Sequence, residues 1–296
     1  MKHNPTQDKW RIGIDIGGTK IAFALVDSQG QVMTAYRLAT RAEEGLEAVI
    51  EQIVTGVNAL GADDEIAVGV GCPGYIRDGV VQYATNLNWR DVPLQGILFE
   101  RLARHISIEN DVNAMLFGER MYGAAREHAN AVYLSIGTGL GAAAMADGRL
   151  LRGASGVAME LGHINRADGS LFEDGASGGG LLKMVAAMRD DYPTALDAAA
   201  DTQAIISAAT NDDELAGAAV CALAHNIAEA AAWVCSTLNP SAVIIGGGMG
   251  IALKRWLIPT VETRIKAACP EPVSAAVTVC TAQVKDSAVG AAALAR

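Results

Sequence analysis

The feature that most restricts the fold of this 296-residue chain is a local pattern that occurs once in each half. Arg11–Asp27 reads as an apolar strand, a glycine-rich turn and a second strand, and Ala131–Leu151 repeats that order. A helical pattern and a buried strand that ends on glycine follow later in both halves. We therefore predict a duplicated α/β fold with two lobes and a cleft between them.

We place the boundary between the lobes near residue 115 from this pattern alone. The first lobe then covers 1–115, completed by a C-terminal helix at about 285–296, and the second covers 116–284. Apolar residues at helical spacing predict helices near Glu43–Leu60 and Glu214–Leu238.

Charge and cysteine content narrow the classes of partner. The formal net charge of −10 disfavours nucleic acid, because binding to a phosphate backbone depends largely on Lys and Arg. The five cysteines form no C-x-x-C pair, as in a cytosolic protein with reduced thiols. The chain shows neither the apolar run of a signal peptide nor an uncharged apolar stretch of about 18 residues. We expect a cytoplasmic protein without a nucleic-acid or membrane partner.

The first glycine turn lies between two predicted strands, which is not the context of a P-loop. Gly17 and Gly18 let the backbone turn sharply and approach a ligand. Thr19 and Lys20 offer a hydroxyl and a cation to phosphate oxygens, and Asp15 is placed to hold Mg²⁺ through water. An ordinary hairpin turn is the alternative.

The second glycine turn has the same placement in the second half. Gly137, Thr138 and Gly139 form its centre. A plain hairpin is again the alternative, but two such turns together predict a pair of backbone clamps on one polyphosphate.

A third glycine run, Gly246–Gly250, ends a predicted strand. Without a Cβ, Gly247 and Gly248 would let a flat adenine lie against the backbone. Tight packing between the strand and the next helix explains the same glycines equally well, so both interpretations stay open.

Glu109–Asn113 presents carboxylates and amides where a predicted strand gives way at once to a helix. Phosphoryl transfer needs positioning, charge neutralisation and a carboxylate that accepts the hydroxyl proton. Asp111 suits that last role. Capping of the helix is the alternative for Asp and Asn at this place.

Polar side chains also gather in a glycine-rich region of the second half. Glu160 and His163 would share one face of a helical turn, and Glu173 follows. Carboxylates and imidazoles bind sugar hydroxyls, and Asn86 adds an amide from the first half. A structural histidine and solvated glutamates are the alternatives.

Taken together, these segments resemble the ROK family (repressors, open reading frames, kinases), which has the actin-like ATPase, or ribonuclease H-like, fold. The resemblance covers nearly the whole chain. It rests on both glycine turns, on Asn110–Asp111, on Glu160–His163 and on Gly246–Gly250.

The resemblance implies an ATP-dependent sugar kinase that uses Mg²⁺ and forms a homodimer. Asp111 is then the general base, facing the reacting hydroxyl, usually O6. The implied sugar ligands are Asn86, Asn110, Glu160, His163 and Glu173. The implied contacts to ATP are Asp15, Gly17, Gly18, Thr19, Lys20, Gly137, Thr138, Gly139, Gly247 and Gly248.

One departure from the family concerns zinc. Many members carry C-x-C-G-x-x-G-C-x-E after the histidine, whereas Ile164–Glu173 is shorter and has no cysteine. A structural zinc usually takes four ligands, mostly thiolates, which His163 alone cannot supply. We predict no zinc, with Glu173 at the position of the motif's final glutamate.

Glucose, converted to glucose 6-phosphate, is the predicted substrate, because Asn86–Trp89 and the nearby Asp91–Leu94 resemble glucokinase-like members. N-acetylmannosamine, fructose, mannose or allose are alternatives, as is polyphosphate in place of ATP. A non-catalytic sugar-sensing regulator is the alternative of another class, and an actin-like filament or chaperone ATPase is a third. Asp111 and both glycine turns argue against the sensor. We also expect no helix-turn-helix before the first strand.

Overall fold

The computed structural model describes residues 10–295 of an α/β protein. Packing contacts divide them into two compact units. The first unit holds the described residues up to Glu127, then Arg152–Ala158 and the segment from Gln283 onward. The second unit holds His128–Leu151 and Met159–Ala282.

The strands of the first unit are β1 Arg11–Ile16, β2 Lys20–Val26, β3 Val32–Ala39, β4 Val68–Cys72, β5 Tyr75–Arg77, β6 Val80–Ala84, β7 Trp89–Val92 and β8 Ile106–Asn110. Its main sheet has five strands in the order β3-β2-β1-β4-β8, with β1–β3 antiparallel and β4 and β8 parallel to β1. A second, antiparallel sheet joins β5, β6 and β7. The helices are α1 Leu46–Ala59, α2 Leu94–Leu102, α3 Asp111–Tyr122 and α11 Ser287–Ala292.

Both faces of the first large sheet are covered, which explains why its inner strands are almost continuously apolar. On one face α1 buries Val49, Ile50 and Ile53 fully. On the other face α11 packs directly on β1, where a Cβ at Gly13 would lie 1.7 Å from the Ala288 carbonyl oxygen. Each fully buried aliphatic side chain contributes about 1.5–3 kcal/mol to the stability of the unit.

The second unit repeats the plan with a sheet of order β11-β10-β9-β12-β13. Its strands are β9 Ala131–Ile136, β10 Leu140–Ala146, β11 Arg149–Leu150, β12 Ala242–Gly246 and β13 Thr278–Thr281. Its helices are α4 Phe172–Ala176, α5 Gly178–Met188, α6 Thr202–Thr210, α7 Glu214–Leu238, α8 Gly247–Ala252, α9 Lys254–Ala268 and α10 Glu271–Ala276. The duplicated α/β architecture predicted from the repeated pattern is therefore confirmed.

Helix α7 has the bounds that the sequence predicts, Glu214–Leu238. Among the helices of residues 10–295 it is the one with the length and mean hydropathy of a membrane span. It packs against α4, α5, α6 and α9, and 61% of its most apolar window is buried. Its apolar composition fits a central core helix of the second unit.

Two local predictions differ in detail from the structure. The predicted helix Glu43–Leu60 is split, because Gly45 at φ 92° separates a 3₁₀ turn, Ala42–Glu44, from α1. The predicted boundary near residue 115 lies inside α3, and the chain leaves the first unit only after Glu127.

A buried carboxylate explains why α3 stays with the first unit along its whole length. Glu119 is fully buried, and one of its oxygens accepts hydrogen bonds from the backbone N–H groups of Gln283 and Val284, at 2.8 Å each. The other oxygen accepts from the Ala124 N–H at 2.6 Å. These bonds tie α3 to the segment that leads into α11.

Candidate functional site

Asp111 is the first residue of α3, immediately after β8. Asn110 caps the helix, and its Oδ1 accepts hydrogen bonds from the N–H groups of Val112 at 2.9 Å and Asn113 at 3.2 Å. Asp111 Oδ1 accepts from the Val112 N–H at 3.0 Å. The capping role that the sequence left open therefore belongs to Asn110, and Asp111 is not needed for it.

The environment of Asp111 suits proton transfer near neutral pH. Burial, helped by the negative charge of Asp15, raises the pKa of Asp111 to about 7. The pKa of Asp15 is itself raised, mainly by burial, although Ser287 Oγ donates a hydrogen bond of 2.5 Å to its Oδ2. Between them lies Gly71, where a Cβ would be 3.4 Å from Asp15 Oδ1 and 3.6 Å from Asp111 Cα.

A polar group that sequence reasoning missed supports this corner of the first unit. Glu109 is buried, and Arg152 Nε donates a 2.6 Å hydrogen bond to its Oε2. Its Oε1 accepts from the Asn110 N–H at 3.0 Å and from Asn113 Nδ2 at 3.1 Å. The available signal was the Glu immediately before Asn-Asp, but nothing in the sequence pairs it with an arginine 43 residues later.

The side-chain amide of Asn110 is largely committed to the fold. Its Oδ1 serves the helix cap, and its Nδ2 donates to the Gly74 carbonyl oxygen at 3.1 Å. The Asn110 side chain also hydrogen-bonds the Asp111 carboxylate, which lowers the pKa of Asp111 against the larger effect of burial.

The first glycine turn is a hairpin between β1 and β2 that is held from one side. The Gly17 N–H donates to the Lys20 carbonyl oxygen at 2.9 Å. Thr40, which is fully buried, donates its hydroxyl to the Gly17 carbonyl at 2.6 Å and its N–H to the Thr19 carbonyl at 3.0 Å. The side chains of Thr19 and Lys20 are exposed, as the predicted role toward phosphate requires.

Asn86 lies beside this turn, and its Cβ would be 3.3 Å from a Cβ at Gly18. It lines a cavity of about 470 Å³ formed entirely by first-unit residues. The cavity walls come from residues 42–46 and 85–92. Trp89, also in the wall, is buried as a packing residue, and its Nε1 has no hydrogen-bond partner among residues 10–295.

The second glycine turn is a tighter hairpin between β9 and β10. The Gly137 N–H donates to the Gly139 carbonyl oxygen at 3.0 Å. The start of α5 packs against the turn, where the Gly178 N–H donates to the Gly137 carbonyl at 2.8 Å and Gly179 to Thr138 at 3.4 Å. Sequence reasoning missed this support, although three consecutive glycines before an apolar helix were a signal of close backbone contact.

The polar cluster of the second unit forms in two parts. Glu160 precedes the 3₁₀ turn Leu161–His163, and its Oε2 lies 3.0 Å from His163 Nδ1, so the two share a face as the spacing predicts. Glu173 lies in the first turn of α4, and its Oε2 accepts a 3.0 Å hydrogen bond from the Leu140 N–H. Glu173 is therefore bonded to the strand that follows the second glycine turn.

The third glycine run is explained in part by packing. A Cβ at Gly246 would lie 2.0 Å from the Tyr133 hydroxyl, and one at Gly247, whose φ is 75°, would lie 2.4 Å from the Ile136 carbonyl oxygen. A Cβ at Gly248 would meet nothing within 4 Å in the described chain. Strand–helix packing thus accounts for Gly246 and Gly247. The contact with adenine stays a prediction, and Gly248 has the space to make it.

Zinc of the family type does not fit this chain. The loop that would carry its thiolates, residues 164–173, contains no cysteine. Within residues 10–295 no three His, Cys, Asp or Glu side chains gather as a metal-binding group.

The predicted site residues divide between the units, and each unit brings its own set together. The first unit holds Asp15, Gly17, Gly18, Thr19, Lys20, Asn86, Asn110 and Asp111. The second unit holds Gly137, Thr138, Gly139, Glu160, His163, Glu173, Gly247 and Gly248.

The similarity of this chain to known proteins extends over nearly its whole length. The family model described as the ROK family matches residues 11–296. A glucokinase of Streptomyces coelicolor is 32% identical over 288 residues, covering 83% of this chain and 88% of that protein. The xylose repressor of Bacillus subtilis is 34% identical over 161 residues, covering 52% of this chain and 42% of that protein.

Among solved structures, a ROK family glucokinase from Streptomyces griseus in complex with glucose and AMPPNP superimposes with a TM-score of 0.82 at 31% identity. The match covers 97% of this chain and 99% of that one. The two similar sheets and the matched structure confirm the predicted actin-like ATPase fold. The chain belongs to the ROK family.

Proposed function

We propose that this protein is an ATP-dependent hexose kinase that converts glucose to glucose 6-phosphate. The observation that carries the proposal is Asp111, a half-buried carboxylate at the start of α3 whose pKa is raised to about 7. A general base works best when its pKa lies near the working pH. The similarity along nearly the full length to a glucokinase bound to glucose and AMPPNP supports the same reaction.

In the proposed reaction Asp111 accepts the proton of the sugar O6 hydroxyl as that oxygen attacks the γ-phosphorus, and the bond from the γ-phosphorus to the β–γ bridging oxygen breaks to release ADP. Asn110 lies next to this base and contributes to orienting the sugar, while Glu160, His163 and Glu173 bind other hydroxyls. Phosphoryl transfer asks little covalent chemistry of a protein, so these positioning contacts supply much of the rate.

We assign the phosphates of ATP to the two glycine turns. Thr19 and Lys20 supply a hydroxyl and a cation, and Thr138 and Gly139 supply backbone N–H groups. Mg²⁺ would neutralise negative charge on the phosphate oxygens, and Asp15 offers the carboxylate oxygens that it prefers, directly or through water. Gly248 is the contact to adenosine with space around it.

The proposal also covers the location of the enzyme, its oligomeric state and its binding partners. We infer a cytoplasmic homodimer that binds sugar and nucleotide and has no nucleic-acid or membrane partner. The net charge of −10 supports the exclusion of nucleic acid. ATP is the proposed donor, with polyphosphate as the alternative.

One second candidate has a specific observation in its favour. Half of the chain resembles a xylose repressor, which fits a sugar-sensing protein without catalysis. Asp111, with its raised pKa, and the two braced glycine turns favour the enzyme, since sensing alone requires neither a general base nor contacts that hold ATP.

A coupled ADP-release assay over glucose, mannose, fructose, allose and N-acetylmannosamine tests the proposal. We expect turnover with ATP and Mg²⁺, with the highest kcat/KM for glucose. A parallel series with polyphosphate identifies the donor. Tight sugar binding without turnover on any hexose would instead establish the sensor.

A further inference from the structure

The loop of residues 164–172, here called the sugar loop, closes on itself without a metal. Asn165 and Leu171 form an antiparallel bridge. Inside that bridge, the Arg166 N–H donates to the Ser170 carbonyl oxygen at 2.7 Å. The loop is therefore a short hairpin with its own backbone hydrogen bonds, at the place where many family members carry zinc thiolates.

The side chain of Arg166 fastens this hairpin to the helices behind it. Its guanidinium carbon lies 5.9 Å from the centre of the Phe172 ring, and its Nη2 lies 3.6 Å from Glu229 Oε2 on α7. A Cβ at Gly175 would lie 3.0 Å from Arg166 Nη1, so the guanidinium passes close over α4. The Arg166 side chain is 24% exposed and that of Glu229 is 37% exposed, so solvent screens the pair in part.

Phe172 completes the attachment. It is buried, and its ring packs edge-on against Trp233 of α7 with ring centres 6.0 Å apart. Arg166 thus makes a cation–π contact with α4 and an ion pair with α7.

The sugar loop connects two of the proposed sugar ligands. His163 comes immediately before it, and Glu173 comes immediately after it at the start of α4. The Glu173 carboxylate is also bonded to the Leu140 N–H. A loop that shifts would therefore displace His163 and strain the Glu173 contact together.

We infer that Arg166 is a positioning residue for sugar binding, through its contacts with Glu229 and Phe172, in place of a structural zinc. The inference rests on the proposed hexose kinase function. Because Arg166 does not act on the phosphate, its loss weakens sugar binding more than it slows the chemical step.

The test compares steady-state kinetics of Arg166→Met and Glu229→Gln with those of the wild type. We expect the KM for glucose to rise about three- to tenfold in both, with kcat within about twofold and the KM for ATP unchanged. Arg166→Lys keeps the charge and is expected to recover part of the loss. Arg149→Met, at an exposed position on β11, is the matched control and is expected to match the wild type.

Hydrogen exchange provides a readout that does not depend on turnover. In Arg166→Met we expect faster exchange confined to residues 160–173, while α7 and β9 exchange as in the wild type. If Arg166→Met does not fold, the same two measurements on Glu229→Gln decide the inference.

Two results would overturn the inference while leaving the kinase function intact. One is an active wild type whose KM for glucose and loop exchange are unchanged by Arg166→Met and Glu229→Gln. The other is about one zinc per chain, by elemental analysis, in protein prepared with zinc present. A wild type that phosphorylates no hexose would instead refute the proposed function, and loop exchange would then decide the bracing alone.

Discussion

The two glycine turns occupy equivalent places in two sheets of the same order, yet they differ in chemistry. In the first unit Ile16 pairs with Ile21 across residues 17–20, and in the second Ile136 pairs with Leu140 across residues 137–139. The residue before each isoleucine is Asp15 in one strand and Ser135 in the other. One backbone plan thus places a half-buried carboxylate beside one turn and a neutral hydroxyl beside the other.

The groups that hydrogen-bond to the two glycine turns also differ. A threonine hydroxyl and N–H from the end of β3 hold the first turn. The second is held by the first N–H groups of α5, and Glu173 bonds to the strand beyond it. The half-buried acids, Asp15 and Asp111, thus belong to the first unit, while the second holds the proposed backbone donors and the proposed sugar ligands.

The strongest way to test this division is to remove the proposed base. Asp111→Asn keeps the size and the hydrogen bond to the Val112 N–H, but it cannot accept the hydroxyl proton. We expect kcat to fall about 10³-fold with the KM for glucose changed less than about threefold. Asp190→Asn, an exposed carboxylate on the second unit, is the matched control. Near wild-type turnover in Asp111→Asn would contradict the assignment of Asp111 as the general base.

The second test asks whether the two carboxylates of the first unit are coupled. Asp15→Asn is expected to lower kcat by about 10- to 100-fold through loss of a charge near the phosphates and Mg²⁺. Because the charge of Asp15 helps raise the pKa of Asp111, the acidic limb of the pH profile is expected to move to lower pH. The pH dependence of kcat/KM in the variant measures this, and an unmoved limb would show that the charges are independent.

The pH profile of the wild type sharpens the same point. A base must be deprotonated to act, so kcat/KM is expected to fall about tenfold per pH unit below a pKa of about 7.

The stability of the folded protein should depend on pH in the opposite direction, because the charged form of Asp111 costs free energy in the folded state. Burial raises the folded pKa above the ordinary 3.8, so the cost of the charged form is absent below about pH 4 and complete above about pH 7. Thermal melts should show Asp111→Asn more stable than the wild type at pH 8 but not at pH 4.

The smallest expected effect comes from the second turn. A Cβ at Gly139 would lie 2.6 Å from Glu173 Oε2, so Gly139→Ala must push that carboxylate away from the Leu140 N–H. We expect the KM for glucose to rise about two- to fivefold, with a slight loss of melting temperature. Gly217→Ala, in open space on α7, is the control and should be neutral or slightly stabilising. Equal behaviour of the two variants would contradict the role given to Glu173.

Much of the fold could be predicted because local pattern and fold agree. The bounds of α7, for example, follow from apolar spacing alone. Local sequence pattern could not locate the end of the first unit, which we had placed near residue 115. That end depends on the hydrogen bonds of Glu119 to Gln283 and Val284, which join residues more than 160 positions apart.

The same limit applies to the candidate site. Sequence pattern proposed Asp111, the glycine turns and the Glu160–His163 pair, since each is a short motif with its own chemistry. It did not reveal Arg152 on Glu109, Thr40 on the first turn or Arg166 on Glu229, because these partners lie far apart in the chain. Such supports are decided by which elements pack together.

The duplicated strand–turn–strand plan could be read from the sequence, as could the groups proposed to act on a sugar and a phosphate. Periodicity and glycine placement are local, so they are readable without coordinates. Tertiary structure alone decided that Asn110 and not Asp111 caps α3, and that burial beside Asp15 raises the pKa of Asp111. It also decided that an arginine holds the sugar loop, because desolvation and long-range pairing exist only once distant segments are packed together.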